Sequence, residues 1–390
     1  MSKGHDQAQQ AFGGFEDMVD FGMKGKLQGK FLMPPFSVLD TRQGYWQQRK
    51  KQWMSLGIQS EVGRGENLLK FSEGVIFRKK RENSLLFKSL SGSTPNYYTQ
   101  KNETEAKLGH KISNIEFEDN YLEVSGRIAT GTSVFDPALC ELMYKWFCPE
   151  NGTILDPFAG GSVRGIVASM LGYDYHGIDL ATEQLEANRE QAQKICTDHI
   201  PVWFQGDSNK MDDILPKGKF YDLIFSCPPY HDLEKYGDDS NDLCNMSWQD
   251  FKRIYAEIVA KAVAKLNYCR FAVFVVSEVR NKEGFYKGLV PWTIETFKQA
   301  GATFYNELIL VNTVGSLALR IGIQFGKFRK VGRTHQNILV FYKGNIRTMP
   351  LFFKEIDIGM PKASEWGSNS DPGLDNELSG DAGFPTESLP

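Results

Sequence analysis

Short apolar runs alternate with longer amphipathic stretches from residue 153 to residue 342, and this alternation is what most restricts the 390-residue chain. Strand-like runs stand at 153–155, 175–179, 202–204, 223–225, 271–276, 304–311 and 337–342. Helical spacing covers 164–171, 182–194, 251–266 and 292–300, and Leu139, Leu142, Met143 and Trp146 share a helical face ahead of them. Strands separated by helices predict an α/β fold with a mostly parallel sheet. The last two strands follow each other with no helix read between them, which predicts an antiparallel pair at the sheet end.

The first strand runs into a glycine turn, Asp156-Pro-Phe-Ala-Gly-Gly-Ser162, that opens a helix. Gly160 and Gly161 let backbone approach a ligand and tolerate positive φ. Open α/β sheets bind ligands at such strand ends. The loop lacks the Lys-Ser/Thr of a P-loop, and Asp156 on its first turn disfavours phosphate and suits a cationic, amino-acid-bearing ligand. Asp179 ends the next strand, where a carboxylate reaches ribose hydroxyls. Asp207 follows the strand after that.

About seventy residues after the glycine turn, an apolar strand delivers Ser226-Cys-Pro-Pro-Tyr230. Together, Asp156-Pro157-Phe158-Ala159-Gly160-Gly161 and Cys227-Pro228-Pro229-Tyr230 resemble motifs I and IV of the amino-methylating DNA methyltransferases (adenine N6 or cytosine N4). The resemblance covers a little over half the chain and implies a class I, Rossmann-like methyltransferase fold. It implies S-adenosylmethionine over the glycine loop, Asp179 on its ribose and Asp207 on its adenine amine. The segment Ser133-Val-Phe-Asp-Pro-Ala138 loosely matches the part of the family that helps hold the methionine end.

The chemistry behind motif IV is direct attack. An exocyclic base amine is a poor nucleophile, and two acceptors aimed at its N–H groups free the lone pair to attack a sulfonium methyl. One acceptor is the first side chain of the motif and the other is the carbonyl of Pro228, held still by the prolines. Tyr230 stacks the base, which must be turned out of a duplex or presented single-stranded. This chain departs from the pattern at Cys227, where the family carries Asp, Asn or Ser. A thiol is a weak acceptor, so the target base stays open. Three alternatives stay open with it: thiolate attack on a pyrimidine carbon, as in cytosine-C5 enzymes, an RNA substrate, and a DNA-binding protein with an inactive core. His231 and Asp232 follow in a loop read as solvated and mobile, where they are also candidate proton acceptors.

Composition matters where it locates a polyanion-binding surface. Net charge is only −3, yet 21–111 carries 17 Lys/Arg against 7 Asp/Glu, and the segment from 364 onward holds only acidic charges. The chain therefore divides into a flexible start (1–20), a basic N-terminal module (21–130), the methyltransferase domain (131–350) and an acidic disordered tail (351–390). Candidate DNA contacts are Lys327, Arg329, Lys330 and Arg333 in a late basic loop, and Arg49, Lys50 and Lys51 beside Trp46 and Trp53. Arg78–Arg81 forms a further basic run, and 112–128 reads as a hairpin. The stretch from Pro34 to Trp46 resembles a region of phage-encoded DNA methylases. The six cysteines form no C-x-x-C pair and have no histidine at ligand spacing, which argues against zinc. No signal core or bilayer-length apolar run is present, so the expected setting is a bacterial cytoplasm.

Overall fold

The computed structural model describes residues 35–59, 105–106, 108, 110, 135–231, 239–314 and 317–354. The expected flexible start, the run Arg78–Arg81, the expected hairpin at 112–128, Asp232 and residues 355–390 of the expected tail lie outside the described residues. In chain order the elements are β1 (Val38–Asp40), α1 (Gly44–Met54), α2 (Pro137–Phe147), β2 (Thr153–Asp156), α3 (Val163–Met170), β3 (Asp174–Asp179), α4 (Thr182–Ile195) and β4 (Val202–Gln205). They continue with α5 (Met211–Ile214), β5 (Tyr221–Ser226), α6 (Trp248–Lys265), β6 (Leu266–Val276), α7 (Leu289–Gln299), β7 (Thr303–Val311), α8 (Leu317–Phe328) and β8 (His335–Lys343).

Among the described residues one sheet holds eight strands in the order β1-β7-β8-β6-β5-β2-β3-β4. Only β8 is reversed, pairing antiparallel with β6 on one side and β7 on the other. The remaining pairs are parallel. The expected fold class, a mostly parallel Rossmann-like sheet with an antiparallel pair towards one end, is thus what the chain adopts. The central strands read as unbroken apolar runs because both of their faces are covered. Leu139, Ile166, Leu185 and Trp46 of α2, α3, α4 and α1 pack on one face. Met211, Phe251, Ile258 and Phe297 of α5, α6 and α7 pack on the other. Local signals start the helices: Asp136 caps α2 by accepting from Ala138 N, with Pro137 in the first turn, and Ser247 accepts from Asp250 N to cap α6.

Two expectations are corrected. A helix, α8, does lie between the last two strands. The apolar residues of Leu317–Phe328 do recur with helical spacing, a signal masked by reading 326–333 as a basic loop. The second correction concerns residues 35–59, which are part of the main sheet and core. β1 pairs with β7 in the register Val38↔Ile309 to Asp40↔Val311. Trp46 and Trp53 are buried, and Trp46 Nε1 donates to Asp136 at 3.1 Å. Arg49, expected to touch DNA, is 5% exposed and donates twice to Glu141, from Nε and Nη2, at 2.7 Å each. Its charge is consumed inside the protein. Lys50 pairs with Asp136 at 3.2 Å, and Lys51 alone of the three is exposed. No described helix is long and apolar enough to cross a membrane.

Candidate active site

All the parallel strands end at one edge of the sheet, and the turn into β8 starts there too. The glycine loop after β2, Asp179 at the end of β3, Asp207 after β4 and Cys227-Pro-Pro-Tyr230 after β5 therefore share that edge. β2 and β5 are direct neighbours, with Ile154 opposite Leu223 and Leu155 opposite Ile224. The two loops are cross-tied as well, because Ser226 Oγ donates to Asp156 at 2.5 Å.

Asp156 is fully buried and collects four donors: Ser226 Oγ, Tyr175 OH at 2.7 Å, Arg164 Nε at 2.5 Å and Phe158 N at 3.2 Å. Its charge is matched by Arg164, so the expectation that Asp156 itself meets a cationic ligand is corrected. It holds the loop from beneath. The same guanidinium donates to the carbonyls of Phe158 and Ala159, at 2.6 and 2.8 Å, and lies over the Phe135 ring at 4.7 Å. Pro157 and Ala159 are buried with Asp156, which leaves Phe158, Gly160 and Gly161 as the loop residues that present surface. Gly160 has φ +51, and no heavy atom lies within 4 Å of the place its Cβ would take. The loop is therefore open on that side.

The Asp179 carboxylate accepts from Gly160 N at 2.8 Å and Ala181 N at 3.0 Å. Burial pushes its pKa above the usual carboxylate value, against the pull of those two N–H groups. A carboxylate offers about four acceptor positions, so capacity remains for hydroxyl donors. Asp207 caps a short turn by accepting from Asn209 N at 2.8 Å. Ser208 Oγ donates to Pro157 O at 2.5 Å, fixing the Asp207 loop against the glycine loop. Asn188, on α4, donates to Gly160 O at 2.7 Å and closes the opposite wall.

Pro228 is buried, while Cys227, Pro229 and Tyr230 are half-buried. Tyr230 OH accepts from Gln336 Nε2 at 2.8 Å, approaches Val275 O at 3.4 Å and lies 3.5 Å from Cys227 Sγ. The ring is thus pinned by β6 and β8. His231 is buried, which corrects its reading as a solvated loop residue. Lys287 Nζ donates to its Nδ1 at 2.7 Å, leaving the ring proton on Nε2 to donate to Met246 O at 3.0 Å. An aromatic ladder backs both loops. Phe158 stacks on Tyr255, Tyr255 on Phe251 and Phe251 on Trp248, each pair at 13°, and His231 meets Trp248 and Phe251 edge-on.

Of the late basic residues, Lys327 and Arg329 are exposed. Arg329 turns its guanidinium back to the carbonyls of Phe325 and Gly326. Lys330 and Arg333 are partly covered, and Arg333 binds His335 O and Asn337 Oδ1. Arg164, Gln336 and Lys287 were not singled out from sequence. Arg164 alone carried a signal there, a cation inside the motif facing its acid.

The chain matches no protein-family model and no curated protein. Among solved structures it overlays TrmN from Thermus thermophilus at 14% identity and TM-score 0.35, covering 53% of this chain and 48% of that one. The chain thus spans about half of TrmN. It overlays a methyltransferase from Pyrococcus furiosus at 16% identity and TM-score 0.36, covering 63% and 100%. A third is magnesium protoporphyrin IX methyltransferase from Synechocystis PCC 6803 with bound SAM, at 9% identity and TM-score 0.33, covering 69% and 96%. Overlays this loose leave the reaction to be argued from the site.

Proposed function

We propose that this chain is a class I methyltransferase that moves a methyl group from S-adenosylmethionine to an exocyclic amine of a DNA base. The observation that carries the reading is the adjacency of β2 and β5, which sets the glycine loop beside Cys-Pro-Pro-Tyr at one sheet edge, cross-tied by Ser226 and Asp156. The residues present fit the cofactor. Gly160 leaves open space above the loop, and Asp179 stands beside it with acceptor capacity to spare. Phe158, Gly160, Gly161, Asp179 and Asp207 would hold it. S-adenosylmethionine, when bound, supplies an electrophilic methyl on a sulfonium sulfur.

The chain's own part is to place and strip the amine. The Pro228 carbonyl accepts from one N–H of the base and the Cys227 side chain faces the other. The Tyr230 ring, immobilised through its hydroxyl, offers a flat face to the base. Fixed acceptors of this kind need no reorganisation during transfer. Because sulfur accepts weakly, Pro228 supplies most of the pull. His231, anchored on both ring nitrogens, fixes the chain directly after Tyr230.

The test is incubation of the full chain with DNA and methyl-labelled S-adenosylmethionine, then nucleoside digestion and mass spectrometry. N6-methyldeoxyadenosine or N4-methyldeoxycytidine is expected. 5-Methyldeoxycytidine would instead make Cys227 a nucleophile, and label in RNA alone would replace the substrate.

A further inference from the structure

Two projections contact the catalytic loop at adjacent residues, Tyr230 and His231, and both carry exposed aromatic rings. The first, 277–288, follows β6 and touches the loop through Lys287 Nζ on His231 Nδ1 at 2.7 Å. The second, 312–334, joins β7 to β8 and contains α8. Its neck is closed by Asn312 N on Thr334 O at 2.8 Å, and just beyond the neck Gln336 donates to Tyr230 OH at 2.8 Å. Both therefore rise from the same edge as Cys227 and Tyr230.

Their surfaces share one character. In 312–334 there are five Lys/Arg and no Asp/Glu, with Val314, Phe325, Phe328 and Val331 exposed and Phe328 the most so of these at 77%. Arg329 lies over the Phe325 ring at 5.6 Å. In 277–288 Phe285 is 72% exposed, and Arg280 lies over the Tyr286 ring at 3.9 Å. The carboxylate of Glu278 is turned inward onto the first amides of α7. Scattered exposed apolar residues are ordinary. Glu283 stands exposed among the cations of 277–288, so the acid-free positive charge lies on 312–334. Exposed rings interleaved with such cations beside a catalytic loop are the pattern that takes a polyanion by its backbone and its bases by stacking.

We propose that these two projections form the DNA-holding rim of the site, with Phe285 and Phe328 stacking on bases to either side of the one presented to Tyr230. Lys327 and Lys330 track the phosphates. The proposal rests on the methyl-transfer reading for the identity of the pocket, but its surface is testable separately. Opening a duplex leaves neighbouring bases without a stacking partner, and the exposed rings of the two projections supply that partner.

The test is fluorescence anisotropy of the full chain with a labelled 20-base-pair DNA duplex, its single strand and the same sequence as RNA. The variants are F285A/F328A, K327Q/K330Q and, as a control, Y268A. Tyr268 is 69% exposed at the opposite edge, near the start of β6. F285A/F328A is expected to weaken DNA binding by about tenfold or more, since a stacked ring carries roughly five- to hundredfold in affinity. Y268A should stay within about twofold. K327Q/K330Q should flatten the log–log salt slope by about two. Equal binding by F285A/F328A and Y268A overturns the proposal, as does wild-type binding to RNA in preference to both DNA forms, or to no nucleic acid. S-adenosylmethionine uptake, measured by calorimetry on the same samples, separates the two readings. Uptake with normal DNA binding by F285A/F328A sinks the rim alone. No uptake, with DNA binding lost in that variant, sinks methyl transfer and leaves the rim.

Discussion

Replacing Arg49 by alanine distinguishes a structural cation from a DNA contact. Glu141 is 1% exposed and receives Arg49 twice at 2.7 Å, Trp53 Nε1 at 2.7 Å and Lys145 at 2.8 Å. Burial alone would push its carboxyl up, but the Arg49 hydrogen bonds and Lys145 win and bring it from 4.5 down to about 2. At 1.36 kcal/mol per pH unit that difference is worth about 3 kcal/mol to the folded state. An independent expectation agrees: removing one partner of a buried pair costs about 3–5 kcal/mol, since a charge is left behind. With Lys145 and Trp53 retained, the lower figure, about 3 kcal/mol, applies. For a domain of this size that lowers the unfolding midpoint by roughly 6–12 °C. The pH sign follows from a depressed carboxylate. The wild-type contribution is complete above about 4.5 and disappears as pH falls towards about 2. The gap between R49A and wild type should therefore shrink as pH falls through that window. Thermal unfolding followed by circular dichroism measures both, with DNA affinity of the folded variant as the companion reading. A midpoint unchanged to within about 2 °C, with DNA affinity sharply reduced, would refute the reasoning and return Arg49 to the DNA surface.

Three further outcomes are expected. D179N should weaken S-adenosylmethionine binding in calorimetry by about tenfold, losing charge-assisted hydrogen bonds to the ribose. In wild type, binding should strengthen as pH rises through a carboxyl value above the ordinary one, because burial holds the acid protonated longer; D179N should remove that dependence. Q336L should leave cofactor affinity unchanged and lower kcat, because it frees the Tyr230 hydroxyl from its 2.8 Å donor, and Q336N, too short to reach, should not rescue it. G177A should destabilise the fold by about 1–3 kcal/mol in chemical unfolding, because the added Cβ would stand 2.8 Å from Ala159 Cβ and 3.0 Å from Trp203.

How much could be read in advance depended on how far apart the partners lie in sequence. The glycine turn, Asp179 and Cys-Pro-Pro-Tyr were legible because a turn, a strand end and a proline pair constrain the backbone where they stand. The helices of the core were legible because both sheet faces demand an apolar stripe. The role of 35–59 was not. Arg49, Lys50 and Lys51 form a local basic run that ordinarily sits in solvent, and what buries Arg49 is Glu141, 92 residues away. No periodicity announces that pairing. β1 escaped notice for a similar reason, since a three-residue strand has too little pattern of its own and is defined by β7. α8 carries helical apolar spacing of its own, overshadowed by the basic run at 326–333; its exposed Phe325 and Phe328 make it a candidate surface.

Asp156 shows why a motif can be recognised while the work of its residues is misjudged. An acid at the end of the first strand invites the reading that its charge meets the ligand. Its oxygens are instead occupied by Arg164, Tyr175, Ser226 and the backbone of Phe158. Arg164 Nη2 donates to the loop carbonyls of Phe158 and Ala159. One carboxylate therefore joins the strand before the glycine loop, the helix after it, the neighbouring strand β3 and the strand that delivers Cys227. A buried pair of this kind adds little net stability over an apolar substitute, so stability alone does not account for it. What it does is fix the spacing between Gly160 and Pro228, the two points between which a methyl group would have to pass. Preorganised acceptors act only if that spacing is held before the substrate arrives. On the proposed reading, Asp156 is a positioning residue that acts through Arg164 and Ser226, without touching anything that would react.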